Sequence, residues 1–123
     1  MTGLTHDEAS WQPPCYEQEG AGAGTIRWHI AHIADCKRGY TARIEADITA
    51  RTPDVPAHAA ADLVGDLLEP RSAHDAQRAA ISAVTGEQMT SVAVDSLANI
   101  IRHDIWHAGQ IAVVRRLWRF RDA

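Results

Sequence analysis

Two histidines one helical turn apart sit inside the apolar stripe of IIRHDIWHAGQIAVVRRLW, residues 100–118, and no other feature constrains the chain as tightly. Counted at about 100° per residue from His103, His107 falls at about +40°, Ile100 at about +60°, Ile111 at about +80° and Val114 at about +20°. Residues four apart stack on a helix face, so both imidazoles are carried inward with the side chains that need burial. A buried polar group without a partner costs about 1–3 kcal/mol. The segment therefore reads as a helix whose buried face must meet a partner for two imidazoles.

A far upstream segment, TIRWHIAHIADCKRGY, residues 25–40, can supply that partner. Its apolar stripe continues through Ile26, Ile30, Ile33, Ala34, Tyr40, Ile44 and Ile48, which predicts a helix over 25–50 capped by Thr25. Counted from His32, Cys36 lies at about +40° and His29 at about +60°, so these polar groups share one inward face. A third imidazole from this helix completes a three-nitrogen metal site of the kind that leaves one position to water or substrate. The plainer alternative, ordinary half-buried histidines hydrogen-bonded to neighbours, stays open on spacing alone.

The rest of the chain also reads as helix. Residues 57–84 have helix-forming composition with Leu63, Leu67, Ile81 and Val84 as core contacts and Pro70 as an interruption, giving two pieces or one kinked helix. Thr52, Pro53 and Pro56 make the connector before it, and Gly86 marks the break after it. The last helix is expected over 96–119, capped by Asp95 or Ser96, with Leu97, Ile100, Ile101, Ile105, Ile111, Val114 and Trp118 facing in. Residues 1–24, with Pro13–Pro14 and a glycine-alternating tract, are expected to form an irregular lead-in to a single domain spanning 1–123.

A formal net charge of −4 argues against a general phosphate-binding surface and hence against nucleic acid. Arg115, Arg116, Arg119 and Arg121 cluster where they complement the negative end of the last helix. No apolar run approaches a membrane span and no secretion signal opens the chain, so a cytoplasmic protein without membrane partners is expected. Cys15 and Cys36 lack CxxC spacing, which excludes a disulfide scaffold and a cysteine-rich zinc module.

The stretch from Thr25 to Tyr40 with His32, followed by HDIWHAGQI at 103–111, resembles the DinB/YfiT-like metalloenzyme family. Leu4–Thr5, Glu8, Trp11 and Pro13–Pro14 are similar to the link that follows the family's first helix. The resemblance implies an all-α, up-and-down four-helix bundle holding one divalent metal, zinc or nickel, on three histidines that fall on His32, His103 and His107. His29 and Cys36 are the weaker ligand candidates, and Cys36 as a fourth ligand would close the site into a structural one. The family's long first helix has no counterpart before the link, so an apolar groove is expected to be left open and covered in a homodimer.

Three neutral imidazoles leave a metal its full charge, which favours either water activation or a deprotonated thiol. No HExxH-type carboxylate is present for hydrolysis, and Asp35 and Asp104 point about 60° and 100° away from their histidines, as surface charges do. Gln110, at about −20° from His103, is placed to orient a substrate. The resemblance adds thiol chemistry, since characterised branches use mycothiol, bacillithiol or glutathione. The expectation is a metal-dependent thiol S-transferase or isomerase that takes a low-molecular-weight thiol and an electrophile. A non-catalytic metal-binding stress-response protein and a metal-free helical interaction module are the alternatives. A di-iron bundle is disfavoured because its Glu-x-x-His motifs are missing.

Overall fold

The computed structural model describes residues 3–49, 52, 62–88 and 90–123. Among them the chain is all-α. Helix α1 spans His6–Ser10, α2 Ile26–Thr49, α3 Leu63–Ala83 and α4 Ser91–Arg119, with 3-10 helices at Pro14–Glu19 and Gly86–Gln88.

Helix α4 begins at Ser91, so Asp95 and Ser96, expected as its cap, lie inside its first two turns; local chemistry explains the starts of the other three helices. Thr25 Oγ1 accepts from the Trp28 N–H at 3.0 Å to begin α2, and Asp62 Oδ1 accepts from the Gly65 N–H at 2.7 Å to begin α3. Helix α3 runs through Pro70 as one element, so the choice between two pieces and one helix resolves to one. The connector prolines, Pro53 and Pro56, lie outside the described residues.

The stretch expected to be irregular carries order of its own. Thr5 caps α1 by accepting from the Glu8 N–H at 3.2 Å. Gln12 then ties down the following turn, donating to the carbonyls of Tyr16 and Gly20 at 3.0 and 2.7 Å and accepting from the Gly22 N–H at 3.2 Å. At Gly24, with φ +69°, a Cβ would overlap the Tyr16 ring, so only glycine lets the strap lie flat before α2.

Helix α2 is the middle of the molecule, packing against both α3 and α4, while α1 rests on α2. The core joins Ile26 and Ile30 of α2 to Ile111 and Val114 of α4, with Leu4, Trp11, Ile33 and Leu67 packed around them. Trp11 meets Trp118 edge to face at 5.9 Å, and Glu8 accepts from Arg115 at 2.8 Å, which fastens the strap to α4. The α2–α3 seam is polar: Arg27 pairs with the buried Asp66, Arg38 with Glu69, and the Gln77 amide reaches the Lys37 carbonyl at 3.5 Å.

Two expected core residues face outward. Ile101 and Ile105 are 61% and 68% exposed, because they lie about 160° and 200° around α4 from His103, on the face opposite the core. With Val94, at about 180°, they form an exposed apolar face on α4. No helix among the described residues is long and apolar enough to cross a membrane.

Candidate metal centre

The α2–α4 contact brings His32, His103 and His107 together, one ring nitrogen from each lying within 4.8 Å of the others. His103 Nε2 and His107 Nε2 are 3.0 Å apart. The ring centroids of His32 lie 5.1 Å from His103 and 4.9 Å from His107. Their separations in sequence, four within α4 and more than seventy across the helix pair, join a local face match to a tertiary one.

Two tryptophans wall the cluster, and the sequence reading missed both. Trp28 stacks on His32 at 5.0 Å with the planes 7° apart, and Trp106 meets His107 edge to face at 4.6 Å. Trp28 precedes His32 by four residues, and that spacing was the available signal. Asp104, expected as a surface charge, pairs with the buried Lys37 of α2 and lies 3.9 Å from His103 Nδ1. Asp35 is held by Arg38 at 2.5 Å.

The weaker ligand candidates are placed differently from the three. Cys36 Sγ is 3.5 Å from His32 Nε2 but does not join the group of mutually close donor atoms. Burial, helped by Asp35 and Asp104, pushes the Cys36 thiol pKa up, so it keeps its proton. His29 is 1% exposed and shares a proton with His107, Nδ1 to Nδ1 at 2.7 Å, standing behind the cluster rather than in it. Gln110 accepts at Oε1 from the Tyr16 hydroxyl at 3.4 Å, one turn beyond His107 on the same face of α4.

Burial favours the neutral forms of His107, His103 and His29. Burial, reinforced by the neighbouring His103, His29 and His32, pulls His107 down to about 4. Burial and then His32 lower His103, against an opposing pull from Asp104, and burial followed by His32 lowers His29. Neutral rings carry the lone pairs that a divalent ion needs, and the donor set is three borderline nitrogens of the kind that bind divalent metals. The residues therefore fit a metal site with three protein ligands.

A family model described as the DinB superfamily matches residues 1–117. No curated protein and no solved structure matches the chain.

Proposed function

The chain belongs to the DinB superfamily, and from that membership and the histidine geometry we propose that it is a divalent-metal thiol S-transferase or isomerase. His32, His103 and His107 hold one zinc or nickel ion. The observation that carries this reading is the three-nitrogen cluster with no carboxylate and no thiol among its mutually close donor atoms. An ion held there supplies Lewis acidity and favours the deprotonated form of a thiol at neutral pH.

The chain's own residues then bind and orient. Trp28 and Trp106 cover the histidine rings and limit water on those sides. Gln110, with its carbonyl oxygen engaged by Tyr16, turns its amide N–H groups to an electrophile. An open recess of about 430 Å³, lined by Ser10, Thr25, Arg27, Trp28 and Asp66, adjoins the Trp28 wall and offers room for a small molecule. In a transfer the thiol sulfur bonds to the electrophilic carbon as the leaving group departs to solvent with the bonding pair, and the thiol proton passes to solvent; in an isomerisation the sulfur adds to the carbon and is expelled again with its pair, regenerating the thiol. A cytoplasmic setting, where small thiols stay reduced, suits this chemistry.

The test titrates cobalt-substituted protein with mycothiol, bacillithiol and glutathione while following the sulfur-to-metal charge-transfer band. A new band with one of them supports the reading. No change with any, together with a cobalt spectrum of a site closed by Cys36, supports a structural metal site instead.

We also infer a homodimer through the outer face of α4. Val94, Ile101, Ile105 and Ala112 fall within about 40° of one another around that helix, and all are exposed.

A further inference from the structure

His29 and His107 touch through the same nitrogen of each ring, Nδ1 to Nδ1 at 2.7 Å, and for two neutral rings this contact admits only two proton arrangements. Both rings are 1% exposed, so no bulk water can serve either one. In the first arrangement His29 donates from Nδ1. His107 then carries its proton on Nε2, where it donates to His103 Nε2 at 3.0 Å. In the second, His107 donates from Nδ1 to His29 Nδ1. The His107 Nε2 lone pair is then free to face the cluster, and the His29 proton sits on its own Nε2.

The two arrangements suit different states. His29 Nε2 is buried with no hydrogen-bond partner among the described residues. A bare lone pair there is easier to leave unmet than an N–H, and the first arrangement also satisfies His103, so the metal-free protein favours it. A metal on His107 Nε2 requires the lone pair at that atom, and only the second arrangement supplies it. The ligand's remaining N–H normally goes to a carboxylate, carbonyl or water, and here another imidazole takes that place.

We propose that His29 is the positioning residue for His107, and that metal binding moves the proton of each ring to its other nitrogen. The proposal rests on the metal reading above. Both rings stay neutral throughout, so the exchange is a change of tautomer and releases no proton. His29 touches neither metal nor substrate; it selects the form of the ring that does.

The experiment records nitrogen-15 imidazole shifts of wild-type protein with and without Zn2+, and measures Co2+ affinity for wild type, His29→Leu and His29→Asn. Asparagine places an acceptor oxygen near the position of Nδ1, and leucine places none. The expected result is His107 as the Nε2–H form in free protein and the Nδ1–H form in loaded protein, with His29 changing in the opposite sense. His29→Leu should bind Co2+ about 10- to 100-fold more weakly, and His29→Asn should recover most of the loss. A His107 tautomer that is the same with and without Zn2+ overturns the proposal, as does wild-type affinity in His29→Leu. The tautomer readout needs no variant, so a leucine variant that fails to fold leaves the proposal testable. Wild-type protein that takes up neither ion removes the metal reading itself, a result distinct from either of those.

Discussion

Acidifying metal-free protein from about pH 7.5 to about pH 5 should remove about 2 kcal/mol of stability through His107 alone. The ring is 1% exposed, and burial, followed by the fields of His103, His29 and His32, lowers its pKa from 6.5 to about 4. The fold thus holds His107 neutral while the unfolded chain takes up a proton, and stability rises with pH wherever the unfolded state binds more protons. The contribution is complete above pH 6.5 and is lost as the pH falls from there towards 4. For a chain of this size the loss at about pH 5 amounts to roughly 8 °C in melting temperature. The assay is a pair of far-UV melting series in chelator, for wild type and for His107→Gln, whose side chain does not titrate. The two curves should converge as the pH falls, the variant being the less sensitive to acid by about 2 kcal/mol. Parallel curves would show that His107 is protonated in the fold as readily as in the unfolded chain, and would refute the burial reasoning.

Alanine at His32, His103 or His107 should abolish uptake of one zinc or cobalt per chain by untagged protein, read by elemental analysis. Metal at about 100 times its Kd should raise wild-type stability by about 2.7 kcal/mol, a gain that each variant lacks. Replacing the exposed Ile105 with lysine should turn a dimer into a folded monomer in multi-angle light scattering, and an unchanged mass would place the interface elsewhere. Gly24→Ala should cost about 1–2 kcal/mol from its left-handed backbone alone, and more from displacing the Tyr16 ring, so an unaltered melting temperature would contradict the strap geometry.

Helical spacing made α2 and the buried side of α4 legible, because Ile26, Ile30, Ile111 and Val114 repeat at the interval that puts them on one face. The same angular count, applied to Ile101 and Ile105, would have turned them outward; treating every large apolar residue as core overrode it. Helix α1 had a local signal in Thr5-x-x-Glu8, a capping pattern that the nearby prolines masked. His103 and His107 were legible because they share a turn, whereas on α2 spacing turned both His29 and His32 inward and only the family resemblance singled out His32. Lys37 with Asp104 was not, since each sits at the edge of its own helix face and their meeting depends on how α2 and α4 cross. The contact of His29 with His107 has the same origin: azimuth shows which residues point inward, and helix crossing decides which of them touch.

That dependence on crossing explains why the polar seams matter to a site they do not touch. An imidazole tip lies about 6 Å from its helix axis, so a rotation of α2 by about 10° moves His32 by roughly 1 Å, several times the tolerance of a metal–nitrogen bond. The packed core of Ile26, Ile30, Ile111 and Val114 resists such a rotation, and ion pairs with fixed partners add to that resistance. Arg27–Asp66 and Arg38–Glu69 fasten α2 to α3, and Lys37–Asp104 fastens it to α4 one residue from His103. Asp66 and Lys37 are buried, so breaking either pair strands a charge away from water and the rotation carries that cost as well. The central helix is thus held in azimuth from both sides, which keeps His32 aimed at the pair on α4.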